Sequence, residues 1–545
     1  MLPKSFEDAM IMDDADFAAS ACGILSASRI QEKTRMNQAG TPNVTPLLQQ
    51  AVALHQQGRL GEAEQLYGEV LRLVPRQFDA LHLSGVIARQ QGDAARAVAL
   101  IGQALALKPD QASAHCNLGA ALHDMKRDAD ALASYDAALR LNPRYAMAWA
   151  NRGNALRRLG RPREAVDSYE RALALQPRYP EASCNRAAAL LDLGQPAAAL
   201  ASAEQALAAQ PRHAQALCVR ANALYLLRRL RDALDSYEHA LAVDDTLAEA
   251  HAGRALALHR LQRFDEALRA HDRALALRPQ HAGTREQRAA TLAALGRKGD
   301  AIAEYRAAQR LLADQGADSA GLGRIAFALA ALGAGQAPER APQDYVKALF
   351  DQYAGHFDQH LTEVLDYRTP QAIDAALARA GVAADGDVLD LGCGTGLCAP
   401  FLRPRARSLA GVDLSERMLD KARAAGLYDS LACADITAFL ADCHALYDLV
   451  VAADVFVYFG ELAAVFAQVR AALRPGGVFC FSTERCEGEG FVLQASNRYA
   501  HAGAYLRALA AAQGFEILLL DAAPLRSENG AAIVGQVAVL RAPSA

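Results

Sequence analysis

Val388-Leu389-Asp390-Leu391 runs directly into Gly392-Cys393-Gly394-Thr395-Gly396, and this change of grammar decides the fold. The first four residues, apolar but for one acid, read as a buried strand. The alternating glycines read as a tight turn opening a helix, because glycine enters the left-handed region without a steric cost. Strand, glycine turn and helix bring the backbone close to an anion with free N–H groups aimed at it. That arrangement suits the carboxylate or phosphate of a nucleotide-like cofactor.

Working outward, strand-like runs fall at 387–391, 408–413, 430–434, 447–453, 477–482, 515–520 and 534–541. Helical stretches separate most of them, the pattern of an α/β domain with a mostly parallel sheet. The last two follow each other without a helix, which predicts one antiparallel strand in a seven-stranded sheet. Gly411-Val412-Asp413-Leu414-Ser415 ends the second strand and Ala434-Asp435-Ile436 ends the third. In such sheets ligands sit beyond the carboxyl ends of the strands, where all three clusters converge. A carboxylate at Asp413 can take both hydroxyls of a ribose, and Asp435 is placed for the exocyclic amine of an adenine. Each segment also has a plainer reading as a helix cap, through Ser415 in the first and Asp435 itself in the second.

These motifs, in this order, resemble the class I S-adenosylmethionine-dependent methyltransferases over roughly residues 345–545. The spacing is Gly-x-Gly-x-Gly after an acid, where a dinucleotide fingerprint wants Gly-x-Gly-x-x-Gly. The resemblance implies a Rossmann-like domain over 342–545 that binds S-adenosyl-L-methionine through Asp390, Gly392, Gly394, Gly396, Asp413, Leu414, Asp435 and Ile436. Asp390 is expected to bond loop N–H groups and the ammonium of the methionine moiety. Phe350–Leu361 reads as an amphipathic lid helix, with Tyr353 as the aromatic near that moiety, and Tyr367-Arg368-Thr369-Pro370 follows it. His356 and His360 stand at i, i+4, but no acid-and-histidine partner set accompanies them, so no metal is expected.

Strand four ends in Val451-Ala452-Ala453-Asp454-Val455-Phe456-Val457-Tyr458, where this fold places substrate-facing groups. No Asn-Pro-Pro-Tyr motif is present, which argues against amide or adenine N-methylation. Asp454 reads either as a substrate-binding or basic group or as a loop cap, and Tyr458 as a pocket wall. His501 is an apt base near neutral pH or a helix cap. Glu484 and Arg498 are weaker candidates.

Residues 44–315 follow a different rule. Pro75, Pro109, Pro143, Pro177, Pro211 and Pro279 fall in one 34-residue phase, with Asp245 in the missing place. Ala63, Ala97, Ala131, Ala165, Ala199, Ala233, Ala267 and Ala301 keep the same step, and Tyr67, Tyr135, Tyr169, Tyr237 and Tyr305 follow four residues later. Each unit is two short helices: alanine permits close approach, the aromatic fills the gap, and proline ends the second helix. These eight units resemble tetratricopeptide repeats, with Trp149 and Gly153 matching the first-helix signature. Such repeats stack into an all-α solenoid with a concave face. Asn117, Asn151 and Asn185 share one repeat position, and Asn154 and Asn222 another. The resemblance implies that they bond an extended protein or peptide partner, each amide offering a donor and an acceptor; the plainer reading is that asparagine suits the consensus there. Residues 316–341 read as a capping helix (322–332) and a linker. Residues 1–43 lack the period and read as disordered, or as a start codon assigned too early.

Composition excludes several classes. The 545 residues carry a net charge of −4, with 24 acids against 16 Lys/Arg in 342–545, so no basic stripe marks nucleic-acid binding. No apolar run reaches the ~18–20 residues of a membrane span. The ten cysteines form no CxxC pair, which fits reduced thiols in a cytoplasm. The expected function is a cytoplasmic methyltransferase whose repeats recruit a protein partner or substrate. The alternatives are an enzyme acting on a small or carrier-bound acid, and a non-catalytic scaffold that senses the cofactor.

Overall fold

The computed structural model describes residues 43–316, 319–354, 365–528 and 531–544. Segments 1–42 and 355–364, the latter holding His356, His360 and most of the expected lid, lie outside the described residues. The chain divides into two compact units, Met1–Leu277 and Arg278–Ala545.

In the first unit the helices pair as the period predicts, from Thr45–Gln56 with Leu60–Leu73 to Ala248–Arg260 with Phe264–Leu277. The period is a packing rule. Every phased alanine from Ala63 to Ala267 is completely buried, since a larger side chain there would force the paired helices apart. Tyr67, Tyr135, Tyr169 and Tyr237 are buried one turn on. A Cβ on Gly119 or Gly153 would lie 2.6 Å from the ring of Tyr135 or Tyr169. Glycine on the first helix and tyrosine on the second are therefore two halves of one contact. Each second helix of this unit stops two residues before the phased position, which is proline, lacking the N–H to continue a helix, everywhere but at Asp245.

The second unit begins with one more helix pair, Ala282–Ala294 and Lys298–Asp314, then Ser319–Ala331. The compact division thus falls one repeat earlier than the expected boundary at 315. Within this unit Phe327 of the last helix packs on Tyr345 and Tyr499, with ring centroids 5.5 and 6.1 Å away. The glycine- and proline-rich stretch after it is bonded along its length. Pro338 C=O accepts the Tyr499 hydroxyl (2.6 Å), Glu339 C=O accepts Gly460 N–H (2.7 Å), and Ala341 N–H donates to Tyr458 C=O (2.8 Å). The helix Gln343–Tyr353 follows.

The sheet holds nine strands among the described residues: β1 Gly386–Leu391, β2 Ala406–Asp413, β3 Ser430–Cys433, β4 Tyr447–Ala452, β5 Leu473–Cys486, β6 Phe491–Leu493, β7 Tyr499–Ala502, β8 Glu516–Glu528 and β9 Ala531–Arg541. Seven form the main sheet in the order β3-β2-β1-β4-β5-β9-β8, with β9 antiparallel to both neighbours. These are the seven expected strands. The short pair β6 and β7 is additional, and β7 runs parallel to the end of β5 at Glu484–Cys486. Both faces of the sheet are covered, because successive residues of its central strands alternate between two apolar cores. Leu389, Leu391, Phe479 and Phe481 face one; Val388, Val451, Val478 and Cys480 face the other. A parallel sheet buried on both faces reads as near-continuous hydrophobic runs, which is why its strands are legible in the chain.

Candidate active site

The glycine loop is tied to the neighbouring strand. Gly392 and Cys393 N–H both donate to Val412 C=O (2.7 and 3.0 Å), and Gly394 N–H donates to Asp413 Oδ2 (2.9 Å). Gly392, Gly394 and Gly396 have φ of 65°, 56° and 91°, and a Cβ on Gly392 would stand 2.6 Å from Val455 Cγ2. Glycine is required there twice over. Two expectations are corrected. The loop opens only the four-residue helix Ala399–Leu402, and its glycine N–H groups are spent within the protein rather than offered to an anion.

Asp390 is buried and accepts a hydrogen bond from the Tyr428 hydroxyl (2.7 Å), not from the loop. The loop-clasping role expected of it belongs to Asp413, whose Oδ1 also accepts Ser415 N–H (2.8 Å). Burial pushes the Asp390 carboxyl up to about 7, against the Tyr428 bond and with the help of the neighbouring Asp413 charge. Burial also raises Asp413, opposed by the N–H groups it accepts. Ser415 does cap the next helix, accepting Met418 N–H (3.2 Å) while donating to Asp351 (2.5 Å).

Asp435 is the N-cap of Ile436–Ala441, accepting N–H bonds from Thr437 (3.1 Å) and Ala438 (3.3 Å) and the Thr437 hydroxyl. It also takes Gln343 Nε2 (2.7 Å) and an ion pair with Arg340 (3.2 Å). Burial opposes its charge, but the Thr437 hydroxyl and the Arg340 guanidinium outweigh it and hold the carboxyl below its usual range.

Asp390, Asp413, Asp435, Gln343 and Arg340 line one cavity of about 290 Å³, together with Gly392, Gly394, Leu414, Ile436, Phe350, Tyr367, Asp454, Tyr458, Arg498 and Arg526. Gly396 supports the turn without lining the cavity. Tyr353 ends its helix, but its side chain lies outside the described residues.

At the far end, Asp454 sits at φ 59° and accepts Arg498 Nη2 (2.8 Å). Glu484 receives both Arg498 (2.7 Å) and Arg526 (2.6 Å). The Arg498 guanidinium lies 5.7 Å over the Tyr458 ring, and Phe350 meets that ring edge-on. Burial pushes the Tyr458 hydroxyl up to about 12. His501 is not part of this wall. It is fully buried in β7, its Nε2–H donates to Gly460 C=O (3.0 Å), and burial pushes its imidazole down to about 4. Sequence reasoning singled out the segment 367–370 without giving Tyr367 a role, missed Tyr428 and Arg526, and ranked Arg498 too low. Arg526 lines the cavity from β8, and Tyr428 touches the site through Asp390.

On the solenoid, Asn154 and Asn222 accept the hydroxyls of Tyr169 (2.7 Å) and Tyr237 (2.6 Å). Asn117 bonds His82 (3.0 Å), Asn151 donates to Cys116 Sγ (3.9 Å) and Asn185 to Asn154 (3.0 Å). Asn117, Asn151 and Asn185 therefore join neighbouring repeats, Asn154 and Asn222 join the two helices of their own unit, and all five are half-buried.

Comparison with known proteins agrees with this division. Residues 388–477 match a family model described as a methyltransferase domain, and tetratricopeptide models match 85–126, 112–145, 146–179, 184–248 and 220–282. The chain is 30% identical over 165 residues to a malonyl-[acyl-carrier protein] O-methyltransferase of Salmonella typhimurium, covering 30% of this chain and 63% of that protein. It is 41% identical over 86 residues to human methyltransferase-like protein 27, covering 15% of this chain and 35% of the relative. The chain thus spans less than two thirds of either curated relative. A tetratricopeptide repeat protein from Parabacteroides merdae aligns over 46% of this chain and 98% of its own length, at 17% identity and a TM-score of 0.39. This chain carries tetratricopeptide repeats followed by a domain of the methyltransferase family.

Proposed function

We propose that the α/β domain is an S-adenosylmethionine-dependent methyltransferase. The observation that carries this reading is the convergence of Asp390, Asp413 and Asp435 on one cavity beyond β1, β2 and β3. Such a set of carboxylate acceptors fits a ligand with an ammonium, a diol and an amine-bearing purine: Asp390 would hold the first, Asp413 and Leu414 the ribose, and the Asp435–Ile436 edge the purine. When bound, the cofactor supplies a methyl group already activated for displacement, so the chain's task is mainly alignment.

The acceptor end favours an acid. Arg498 and Arg526 line it, each already paired with Glu484, and a guanidinium, with five N–H donors, can take a second carboxylate beside that partner. Among the described residues, His501 lies outside the cavity, the Tyr458 proton is held tightly, and Asp454 is committed to Arg498. A carboxylate arrives ionised and needs no base. The malonyl group in the name of the Salmonella relative carries such a carboxylate. The repeats serve a complementary purpose, presenting a concave surface that recruits a protein partner, whether the substrate itself or the carrier of that acid.

Methyl-tritiated cofactor added to the full chain in lysate, with products resolved by size, tests this. Label released as methanol by mild base supports the acid, and label on a protein band supports recruitment of a protein substrate. No transferred label defeats the enzymatic reading.

The Asp390 carboxyl adds a pH signature. Below about pH 7 it is protonated in the free protein, whereas an ammonium beside it requires the charged form, so binding expels a proton. Affinity for the demethylated product S-adenosylhomocysteine should rise about tenfold from pH 6 to pH 8 and flatten above pH 7. Calorimetry in two buffers of different ionisation enthalpy should detect proton release at pH 6 and little at pH 8.

A further inference from the structure

Asp435 has more donors than a purine reader can spare. Two backbone N–H groups and the Thr437 hydroxyl converge on Oδ1, while Gln343 Nε2 (2.7 Å) and Arg340 (3.2 Å) occupy Oδ2. A carboxylate offers about four lone-pair sites, and these five donors fill them. The neighbouring Gln343 is in the opposite position. Its Nε2 is committed to Asp435, which fixes the plane and sense of the amide. Its Oε1, on the other arm of that plane, accepts no hydrogen bond among the described residues, and Gln343 lines the same cavity. The helix that Gln343 begins is anchored just upstream, where Arg340 bridges to Phe459 and Ala341 N–H bonds Tyr458 C=O.

We propose that Gln343 reads the exocyclic amine of the cofactor's purine, and that Asp435 is a positioning residue that holds the amide of Gln343 in the accepting sense. This rests on the S-adenosylmethionine reading. It moves one cofactor contact out of the matched methyltransferase segment 388–477 and into the connection that follows the last repeat helix. It also accounts for a glutamine held by a buried-side carboxylate at the cavity edge, where helix capping alone would need only Asp435.

The test is calorimetry on the full chain with S-adenosylhomocysteine and with S-inosylhomocysteine, which has a carbonyl where adenine has the amine. Wild type should prefer the adenine ligand, because a site built to accept an N–H rejects the analogue that lacks it. Gln343→Leu keeps the volume and removes the acceptor. It should weaken the adenine ligand about tenfold and the inosine ligand less than threefold, so that the preference collapses. A general loss of folding would weaken both alike and would show in thermal unfolding. A Gln343→Leu protein that keeps the wild-type preference, or binds the adenine ligand more tightly, overturns the proposal and returns the amine to Asp435. A wild-type protein that binds neither ligand removes the cofactor reading itself, a result distinct from the other two.

Discussion

Asp413→Ala is expected to lower affinity for S-adenosylhomocysteine by about 150-fold or more. The Asp413 carboxylate accepts Gly394 N–H and Ser415 N–H at 2.9 and 2.8 Å, so it holds the glycine loop against the end of β2 while facing the cavity. Each charge-assisted bond it would make to a ribose hydroxyl is worth about 1.5–3 kcal/mol, and two at the lower bound come to about 3 kcal/mol, or roughly 150-fold at 1.4 kcal/mol per decade. Part of that loss will appear as loop disorder rather than as lost ligand contact. Asp413→Asn separates the two: its remaining carbonyl oxygen can still take one N–H, so the loop should hold while ribose recognition weakens. Isothermal titration giving the wild-type constant for Asp413→Ala would remove Asp413 from the cofactor site.

That result bears on how much of the site was legible beforehand. The loop, Asp413 and Asp435 were readable because strand–turn–helix grammar is local: an apolar run, glycines and an acid lie within a few residues. The repeats were readable for a related reason, since a 34-residue period repeats the same packing constraint at each phased alanine. Roles that depend on tertiary partners were not readable. Asp390 looked like the loop's clasp because it precedes the loop, yet its side chain meets Tyr428 from beyond β2. His501 looked like a base from its chemistry alone, but β7, a strand too short to show alternation, carries it into the core. Arg526 belongs to the long β8, whose far end reaches back to Glu484 across 42 positions of chain; no spacing rule joins two such residues. The segment 338–341 reads as a linker from its composition, but its backbone bonds to the loop after β4, and composition carries no trace of that.

The second large effect is expected at Glu484. Its carboxylate is buried, and it receives the guanidinium of Arg526 at 2.6 Å and that of Arg498 at 2.7 Å. Those arginine side chains are only 5% and 19% exposed. Asp454 would remain as a counter-charge after Glu484→Ala, bonded to Arg498 but 3.8 Å from Arg526. Breaking a buried ion pair by removing one partner typically costs about 3–5 kcal/mol, because the other charge stays buried. Over an α/β domain of this size that shifts thermal unfolding down by roughly 6–20 °C. The single tryptophan, Trp149, lies in the repeats, so fluorescence would follow the wrong unit. Calorimetry of the full chain should be used, reading the transition that moves with S-adenosylhomocysteine. Replacing both partners, Glu484→Leu with Arg526→Met, should recover much of the loss, because two apolar residues of similar volume remove the stranded charge with its partner. A double variant that recovers stability but no longer transfers methyl groups would show that the arginines serve the acceptor rather than the fold. If Glu484→Ala melts with the wild type, the four-membered charge network does not hold the acceptor wall, and the case for an acid substrate loses its structural footing.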